Sequence, residues 1–370
     1  MMGRHLVIAC GGTGGHFYPA LSVSREYVKS GGKVTLLVSG KHADKQVQDA
    51  ANQGLKAIKY STVKAPKSIS TALAFPIRFL KCYLEAKKLL NHLQPDCLLG
   101  MGSFAAVPAC VAVNPKKCAL YLHEGNAFMG RANRLFIKKA SKIALSLPLE
   151  NNNQLRGTTS VLTGMPLREE IYDAFAHGES GEEYRKENHL SQNRLTIVVF
   201  GGSQGAQQIN ELFSAGVSAL KEDAAERIQV IHLTGTEDND RWTQIYKHAK
   251  IPAVVKCSEN HIENCFLLAD LVICRSGASS ICELALFGKP VLLIPYPYAA
   301  DNHQTINARI LEKASAAKCA LQKDLSSEKL RDVILDFLKN PEKWQKMGEN
   351  IKKFASPKAT EKLVKMLQGK

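Results

Sequence analysis

Residues 7–15 read Val7-Ile8-Ala9-Cys10-Gly11-Gly12-Thr13-Gly14-Gly15, and residues 198–205 read Val198-Val199-Phe200-Gly201-Gly202-Ser203-Gln204-Gly205. Each opens with a short apolar, β-branched run, the pattern of a strand buried on both faces. Each then breaks into Gly-Gly-(Ser/Thr)-x-Gly ahead of a helix-forming segment. Glycine lets such a turn carry backbone N–H groups close to an anion, and the helix start adds a favourable dipole. A third turn of this kind is Gly100-Met101-Gly102-Ser103. Tight turns in α/β folds need glycine for steric reasons too, so a single loop does not identify a phosphate site.

Outward from these turns, apolar runs recur at 5–10, 33–38, 97–100, 119–123 and 143–147, then at 195–200, 228–233, 253–256, 271–275 and 291–295. Helix-length segments separate them. Strands alternating with helices predict parallel sheets covered on both faces, hence two Rossmann-like, doubly wound α/β domains. The similar openings are a repeat of architecture rather than a demonstrated duplication. Turn-rich stretches at 157–159 and 164–166 place the boundary, giving domains at 1–163 and 164–344. The charged, helix-patterned segment 345–370 is expected to pack back on the first domain, and the polar stretch 177–193 to be a surface excursion.

Composition narrows the function. The 370 residues are 45% hydrophobic and 22% charged, which excludes a disordered or fibrous chain. The net charge is +15, and all of it lies in residues 1–165, with 22 Lys and Arg against 7 Asp and Glu; the remainder carries 27 of each. The first half is therefore expected to face something anionic. No apolar stretch approaches 18 residues, and the N-terminus lacks the apolar core and cleavage site of a signal peptide. The ten cysteines include no Cys-x-x-Cys pair and no zinc-ligand spacing, so reduced, buried thiols in the cytosol are expected.

The dinucleotide fingerprint fails. With Gly12 and Gly14 as its first glycines the third falls on Phe17, and residues 36–41 supply no acidic group for a ribose. No P-loop motif is present. Phosphate-binding turns without either signature point to a nucleotide-sugar enzyme. The run Arg275-Ser276-Gly277-Ala278-Ser279-Ser280-Ile281-Cys282-Glu283 sharpens this, because it follows a strand and starts a helix. Its N–H groups and hydroxyls suit a diphosphate, and Glu283 suits ribose hydroxyls. N-capping by the serines and dipole complementation by Glu283 are the structural alternatives. The polar run Ala300-Asp301-Asn302-His303-Gln304 follows another strand end.

Together with His123-Glu124-Gly125-Asn126 and Gly11 to His16, these motifs resemble, in order and spacing, the bacterial MurG-type transferases of glycosyltransferase family 28. That family moves GlcNAc from UDP-GlcNAc to undecaprenyl-linked lipid I. The resemblance implies a GT-B fold with an interdomain cleft and an inverting transfer to the 4-hydroxyl of MurNAc, forming lipid II for peptidoglycan. It places Thr13, Gly14 and Gly15 near the donor, Asn126 on the sugar, and Arg168 near the phosphates. It also places Ser203 on the diphosphate, Ala278, Ser279, Ser280, Ile281, Cys282 and Glu283 on phosphate and ribose, and Gln304 on the sugar hydroxyls. Gly125 stands where the family has Gln, and Gly102-Ser103-Phe104 where it has Gly-Gly-Tyr. The uracil-contacting segment is unusual, with Ser258 or Glu259 at the contact position.

His16 and Glu124 are the candidates for the base that takes the acceptor proton, although Glu124 can instead hold a loop. Oriented N–H groups and hydroxyls suffice to stabilise the leaving diphosphate, so no metal and no cofactor is expected. Asp238-Asn239-Asp240 is read as a solvated loop. Basic residues interleaved with apolar ones at 64–88, and lysines at 116, 117, 138, 139 and 142, suit an anionic leaflet, with 69–77 reaching the lipid and Phe79 onward packing. Peripheral attachment to the cytoplasmic face of the membrane is expected, along with contacts to other cell-wall synthesis proteins. Nucleic acid is not expected, since aromatics are 7% and no recognised module is present. A UDP-GlcNAc epimerase, another glycolipid glycosyltransferase, or a non-catalytic scaffold are the alternatives.

Overall fold

The computed structural model describes residues 4–63, 69–178, 180–202 and 206–369, with side chains for all of these except 69–72 and 180. It divides into two units, Met1–Arg168 with Lys358–Lys370, and Glu169–Pro357.

The first unit is built on seven parallel strands: β1 (His5–Gly11), β2 (Lys33–Ser39), β3 (Ala57–Lys59), β4 (Cys97–Gly100), β5 (Ala119–Glu124), β6 (Lys142–Leu145) and β7 (Ser160–Leu162). Their spatial order is β3-β2-β1-β4-β5-β6-β7. All seven residues of β1 are buried, as expected for a central strand with a neighbour on each side. Alternation divides them. Leu6, Ile8 and Cys10 enter a core closed by helices Gly14–Lys29 and Ala359–Gln368. Val7 and Ala9 enter the opposite core, under helices Ile69–Leu93 and Ser103–Ala112.

Six parallel strands form the second unit: β8 (Leu195–Phe200), β9 (Ile228–Leu233), β10 (Ala253–Lys256), β11 (Leu271–Cys274), β12 (Val291–Leu293) and β13 (Lys318–Cys319), in the order β10-β9-β8-β11-β12-β13. Both sheets thus reverse their winding direction at one place, between β1 and β4 and between β8 and β11. Ligands of open α/β sheets bind outside the strand carboxyl ends at such a place. The units share a finer detail. Asp96, just before β4, accepts from the His5 N–H at 2.6 Å, and Asp270, just before β11, accepts from the Thr196 N–H at 2.7 Å.

Several boundaries differ from expectation. The edge strands β3, β7 and β13 are not foreseen, because each has two or three residues and little burial to create a pattern. The returning segment is shorter than 345–370. Helix Pro341–Ile351 stays in the second unit, where Trp344 packs edge-on against Phe337. Only the chain from Lys358 joins the first unit, placing Leu363, Val364, Met366 and Leu367 in its core. The 177–193 stretch is more than a surface excursion, since helix Ser180–Glu187 buries Tyr184. Among the described residues, no helix is long and apolar enough to cross a membrane.

Candidate active site at the two sheet switch points

The first glycine turn leaves β1 at Gly11, whose φ is +121°. A Cβ there would meet the Ser39 carbonyl oxygen at 2.2 Å, so β1 and β2 can approach this closely only at glycine. The Gly12 N–H then donates to Ser39 O at 3.0 Å. Thr13 caps helix Gly14–Lys29 in an extended conformation, and its side chain makes no capping bond. Thr13 and Gly15 are exposed. The His16 and Phe17 N–H groups donate to the Thr13 carbonyl at 3.2 and 3.3 Å, so the groups that helix geometry leaves without an acceptor in the helix are those of Gly14 and Gly15.

His16 lies one turn in, and its Nδ1 is 2.8 Å from the Met101 carbonyl oxygen. A carbonyl only accepts, so Nδ1 must donate; in the neutral ring the lone pair is therefore on Nε2. That contact spans the switch point, from the turn after β1 to the turn after β4. The ring lies against Gly102, where an added Cβ would stand 3.5 Å from His16 Cε1.

Glu124 ends β5 with 4% of its surface exposed. Its Oε1 accepts from the Asn126 N–H at 3.1 Å and from Asn126 Nδ2 at 3.2 Å. Oε2 accepts from the Gly130 N–H at 2.8 Å and from Asn133 Nδ2 at 2.9 Å. Asn133 Nδ2 also reaches the His123 carbonyl. The carboxylate is thus the internal hub of the 124–133 loop, and it orients Asn126. His123 is buried, with its Nε2 2.9 Å from Ser146 Oγ; burial, aided by the nearby His16, pushes its pKa down to about 3. His123 is therefore neutral. Arg168, the last residue of the first unit's N-terminal segment, lies over the Tyr18 ring at 5.9 Å.

In the second unit Gly201 and Gly202 follow β8, and Gly202 has φ +85°. Ser203 lies outside the described residues, as do Lys64 and Lys67. The turn after β11 is described throughout. Ser276 is buried, and its Oγ donates to the Gln304 carbonyl at 2.8 Å. Asn307 Nδ2 donates to the Ser276 carbonyl at 3.1 Å. Arg275, 8% exposed, donates to the carbonyls of Ile294 and Pro295, each at 3.2 Å, and stacks on Tyr296. The Tyr296 N–H donates to Gln304 Oε1 at 2.9 Å, which leaves the Gln304 Nε2 donors pointing elsewhere. The loops after β11 and β12 are thereby locked into one piece.

Gly277 caps helix Ala278–Phe287, and a Cβ there would meet nothing within 4 Å. Ala278, Ser279, Ser280 and Glu283 remain partly exposed, while Ile281 and Cys282 are buried. The Ile281 N–H already donates to Gly277 O at 3.0 Å. The open part of this helix start is therefore residues 277–280 with Glu283, and the Ile281 and Cys282 side chains belong to the core.

Glu259 sits after β10 with both oxygens in use. Lys256 Nζ at 2.8 Å and the Tyr184 hydroxyl at 3.2 Å donate to Oε2, and the His261 N–H donates to Oε1 at 3.2 Å. Asp238 and Asp240 are exposed at the start of helix Asn239–His248, a helix terminus rather than a loop. Among the described residues no three His, Cys, Asp or Glu side chains gather into a group able to hold a metal.

Sequence reasoning missed Met101, Asn133, Tyr184, Lys256 and Asn307. Each acts through a contact made 3 to 85 residues away in the chain. Arg275 and Ser276 stand inside the quoted run, but their clamp on the following loop has no sequence signal.

Residues 6–145 match the glycosyltransferase family 28 N-terminal domain, and residues 196–363 its C-terminal domain. A relative from Geobacter sulfurreducens is named UDP-N-acetylglucosamine--N-acetylmuramyl-(pentapeptide) pyrophosphoryl-undecaprenol N-acetylglucosamine transferase. It is 33% identical over 97% of this chain and 96% of its own length. A relative of the same name from Stutzerimonas stutzeri is 31% identical, with 98% of each chain covered. The crystal structure of Acinetobacter baumannii MurG superposes with a TM-score of 0.79 at 24% identity, covering 99% of this chain and all of that one. A Neisseria meningitidis UDP-GlcNAc 2-epimerase shares the fold at a TM-score of 0.70 and 13% identity, covering 99% of this chain. The two Rossmann-like sheets are those of the GT-B fold, and the chain belongs to glycosyltransferase family 28, among the members that carry the MurG name.

Proposed function

We propose that this chain moves GlcNAc from UDP-GlcNAc to the 4-hydroxyl of MurNAc in undecaprenyl-diphosphate-MurNAc-pentapeptide, with inversion, converting lipid I to lipid II. The observation that carries the reading is the open helix start at 277–280, at the switch point of its sheet and tied through Ser276 to Gln304. The relatives' shared name supplies the substrates.

In this reading the first-turn N–H groups of Ala278, Ser279 and Ser280 and the two serine hydroxyls hold the diphosphate. Glu283 accepts from the ribose hydroxyls, and Gln304 Nε2 donates to the sugar. Ser203 and Arg168 add phosphate contacts. Thr13, Gly14 and Gly15 approach the donor, and Asn126 contacts its sugar. The acceptor oxygen attacks C1 of GlcNAc on the face opposite the diphosphate. The C1–O bond to UDP breaks, and the N–H groups and hydroxyls stabilise the charge that develops on the leaving oxygen. The acceptor proton passes to His16 Nε2, which the Met101 contact leaves with its lone pair. Glu124 serves by holding Asn126 and the loop beneath it.

An exposed apolar stripe supports the membrane reading. Leu73, Ile77, Leu80 and Leu84 are 78%, 66%, 54% and 53% exposed, while Cys82, Ala86 and Leu90 of the same helix are buried. Their spacing of four, three and four residues makes one helical stripe, flanked by the exposed Arg78, Lys81, Lys87 and Lys88. The stripe runs past Ile77 as far as Leu84, so the division expected at Phe79 is lateral instead: one face packs and the other is open. A stripe of this kind suits peripheral attachment to an anionic leaflet.

The test is UDP release by purified protein supplied with UDP-GlcNAc and a lipid I analogue. Release that requires the acceptor, with a disaccharide-lipid product, is expected. His16→Ala should lower kcat by roughly a hundredfold or more. An epimerised UDP-sugar formed without acceptor refutes the reading.

A further inference from the structure

We propose that Tyr184 is a positioning residue for the nucleotide-base end of the donor site, acting through Glu259 on the main chain of residues 257–261. The inference rests on the donor reading above and assigns a role to a residue outside the glycine turns.

Residues 257–261 leave the carboxyl end of β10, the edge strand of the second sheet. All strands of that sheet are parallel, so this segment lies on the same sheet edge as the turn 275–280. A glutamate in such a loop ordinarily extends into water. Glu259 turns inward, with only 12% of its side chain exposed. Helix Ser180–Glu187 brings Tyr184, 5% exposed, behind the segment. Its hydroxyl donates to Glu259 Oε2 at 3.2 Å. Lys256 Nζ donates to the same oxygen at 2.8 Å and lies 4.6 Å from the centre of the Tyr184 ring. Cys265 Sγ stands 3.8 Å from the tyrosine oxygen.

Both oxygens of the carboxylate already accept from within the protein, Oε2 twice and Oε1 once. Burial alone would raise its pKa, but the Lys256, His261 N–H and Tyr184 donors outweigh it and hold the group below its ordinary range. It stays ionised as an internal anchor. Ser258 and Asn260, on either side of the anchored Glu259, are exposed. A main-chain edge can pair with the donor and acceptor pattern of a pyrimidine base only while its conformation is fixed. Main-chain bonds hold the segment's two ends, Cys257 O accepting from Gly235 N–H at 2.8 Å and His261 O from Asn264 N–H at 3.1 Å, and the Glu259 carboxylate, gripped by Lys256 and Tyr184, holds its middle. The family resemblance puts Ser258 or Glu259 at the base-contact position; the geometry makes the Glu259 side chain the anchor of that segment.

The test is UDP affinity, measured by calorimetry on the full chain for the wild type, Tyr184→Phe and Lys256→Gln. Tyr184→Phe keeps the ring and removes only the hydroxyl, and both variants are checked for an unchanged unfolding midpoint. Each should weaken UDP by roughly three- to tenfold, a fraction of the worth of the lost hydrogen bond, because that bond reaches the ligand only through the loop it orders. Each should also narrow the preference for UDP over GDP. In steady state the loss should fall on KM for UDP-GlcNAc rather than on kcat. Unchanged UDP affinity in both variants overturns the proposal, whether or not the wild type turns over. Weakened UDP binding alongside a wild type that never transfers GlcNAc sustains it and overturns the transfer reading instead.

Discussion

Replacing Glu124 by glutamine separates its two readings. A base loses its function on amidation but leaves the fold alone. A hub loses stability. Four N–H donors converge on the carboxylate, two on each oxygen. Glutamine presents one acceptor oxygen and one NH2 group, so one pair of donors faces another donor whichever way the amide turns. A hydrogen bond to a charged group contributes about 1.5–3 kcal/mol, and an unpaired buried donor costs about as much. Two such losses at a buried site, partly offset by water entry, amount to about 3 kcal/mol. In a unit of this size that lowers the melting temperature by roughly 6–12 °C. The assay is scanning calorimetry of wild type and Glu124→Gln, beside pH profiles of kcat/KM. The expected result is a lowered transition in the first unit and residual activity whose acid limb persists, because in the proposed mechanism the base is His16. A variant of full stability that loses the acid limb refutes the hub and makes Glu124 the base.

Three further outcomes follow from the geometry. Gly11→Ala drives a Cβ to 2.2 Å from the Ser39 carbonyl, a backbone atom that cannot move aside, and should prevent folding of the first unit, seen as loss of its calorimetric transition. His232 is fully buried between Asn210 Oδ1 at 3.1 Å and the Tyr246 hydroxyl at 2.8 Å, and burial lowers its pKa to about 4. The unfolded chain binds the proton first, so this histidine's stabilisation is complete above about pH 6.5 and shrinks as pH falls toward 4. At pH 5 the second unit should be weaker by about 2 kcal/mol in urea unfolding, with a smaller pH slope in His232→Gln. Leu80→Asp with Leu84→Asp changes only exposed positions, so melting should be unaffected while sedimentation with anionic vesicles at low salt falls several-fold; unchanged sedimentation would remove the stripe from membrane attachment.

Central strands and glycine turns were legible because their signals are local. A strand buried on both faces must be apolar at every position, and β1 and β8 announce themselves in this way. A backbone pressed against a neighbouring strand or an anion admits only glycine. The edge strands carry no such constraint, and three of them passed unseen. In the site, the residue types of 275–283 were visible, because an open helix start needs small and hydroxylated side chains. Which of them stay open was not: Ile281 and Cys282 differ from Ser279 and Ser280 in the side of the helix they occupy.

By itself, then, the sequence determined two doubly wound units, the places where their turns leave the sheets, the family, and the uneven distribution of charge. Only the tertiary structure decided that Glu124 is encircled by four donors, that His16 has its lone pair on Nε2, that Arg275 clamps the chain at Ile294 and Pro295, and that Ser276 bonds to Gln304. It alone showed that Glu259 faces inward to Tyr184. The physical reason is the range of the interactions. Burial and backbone sterics act on each residue through its immediate neighbours and leave a periodic trace. A hydrogen bond from His16 to Met101 or from Tyr184 to Glu259 joins atoms 85 or 75 residues apart, and neither partner's identity discloses the other until the chain has folded.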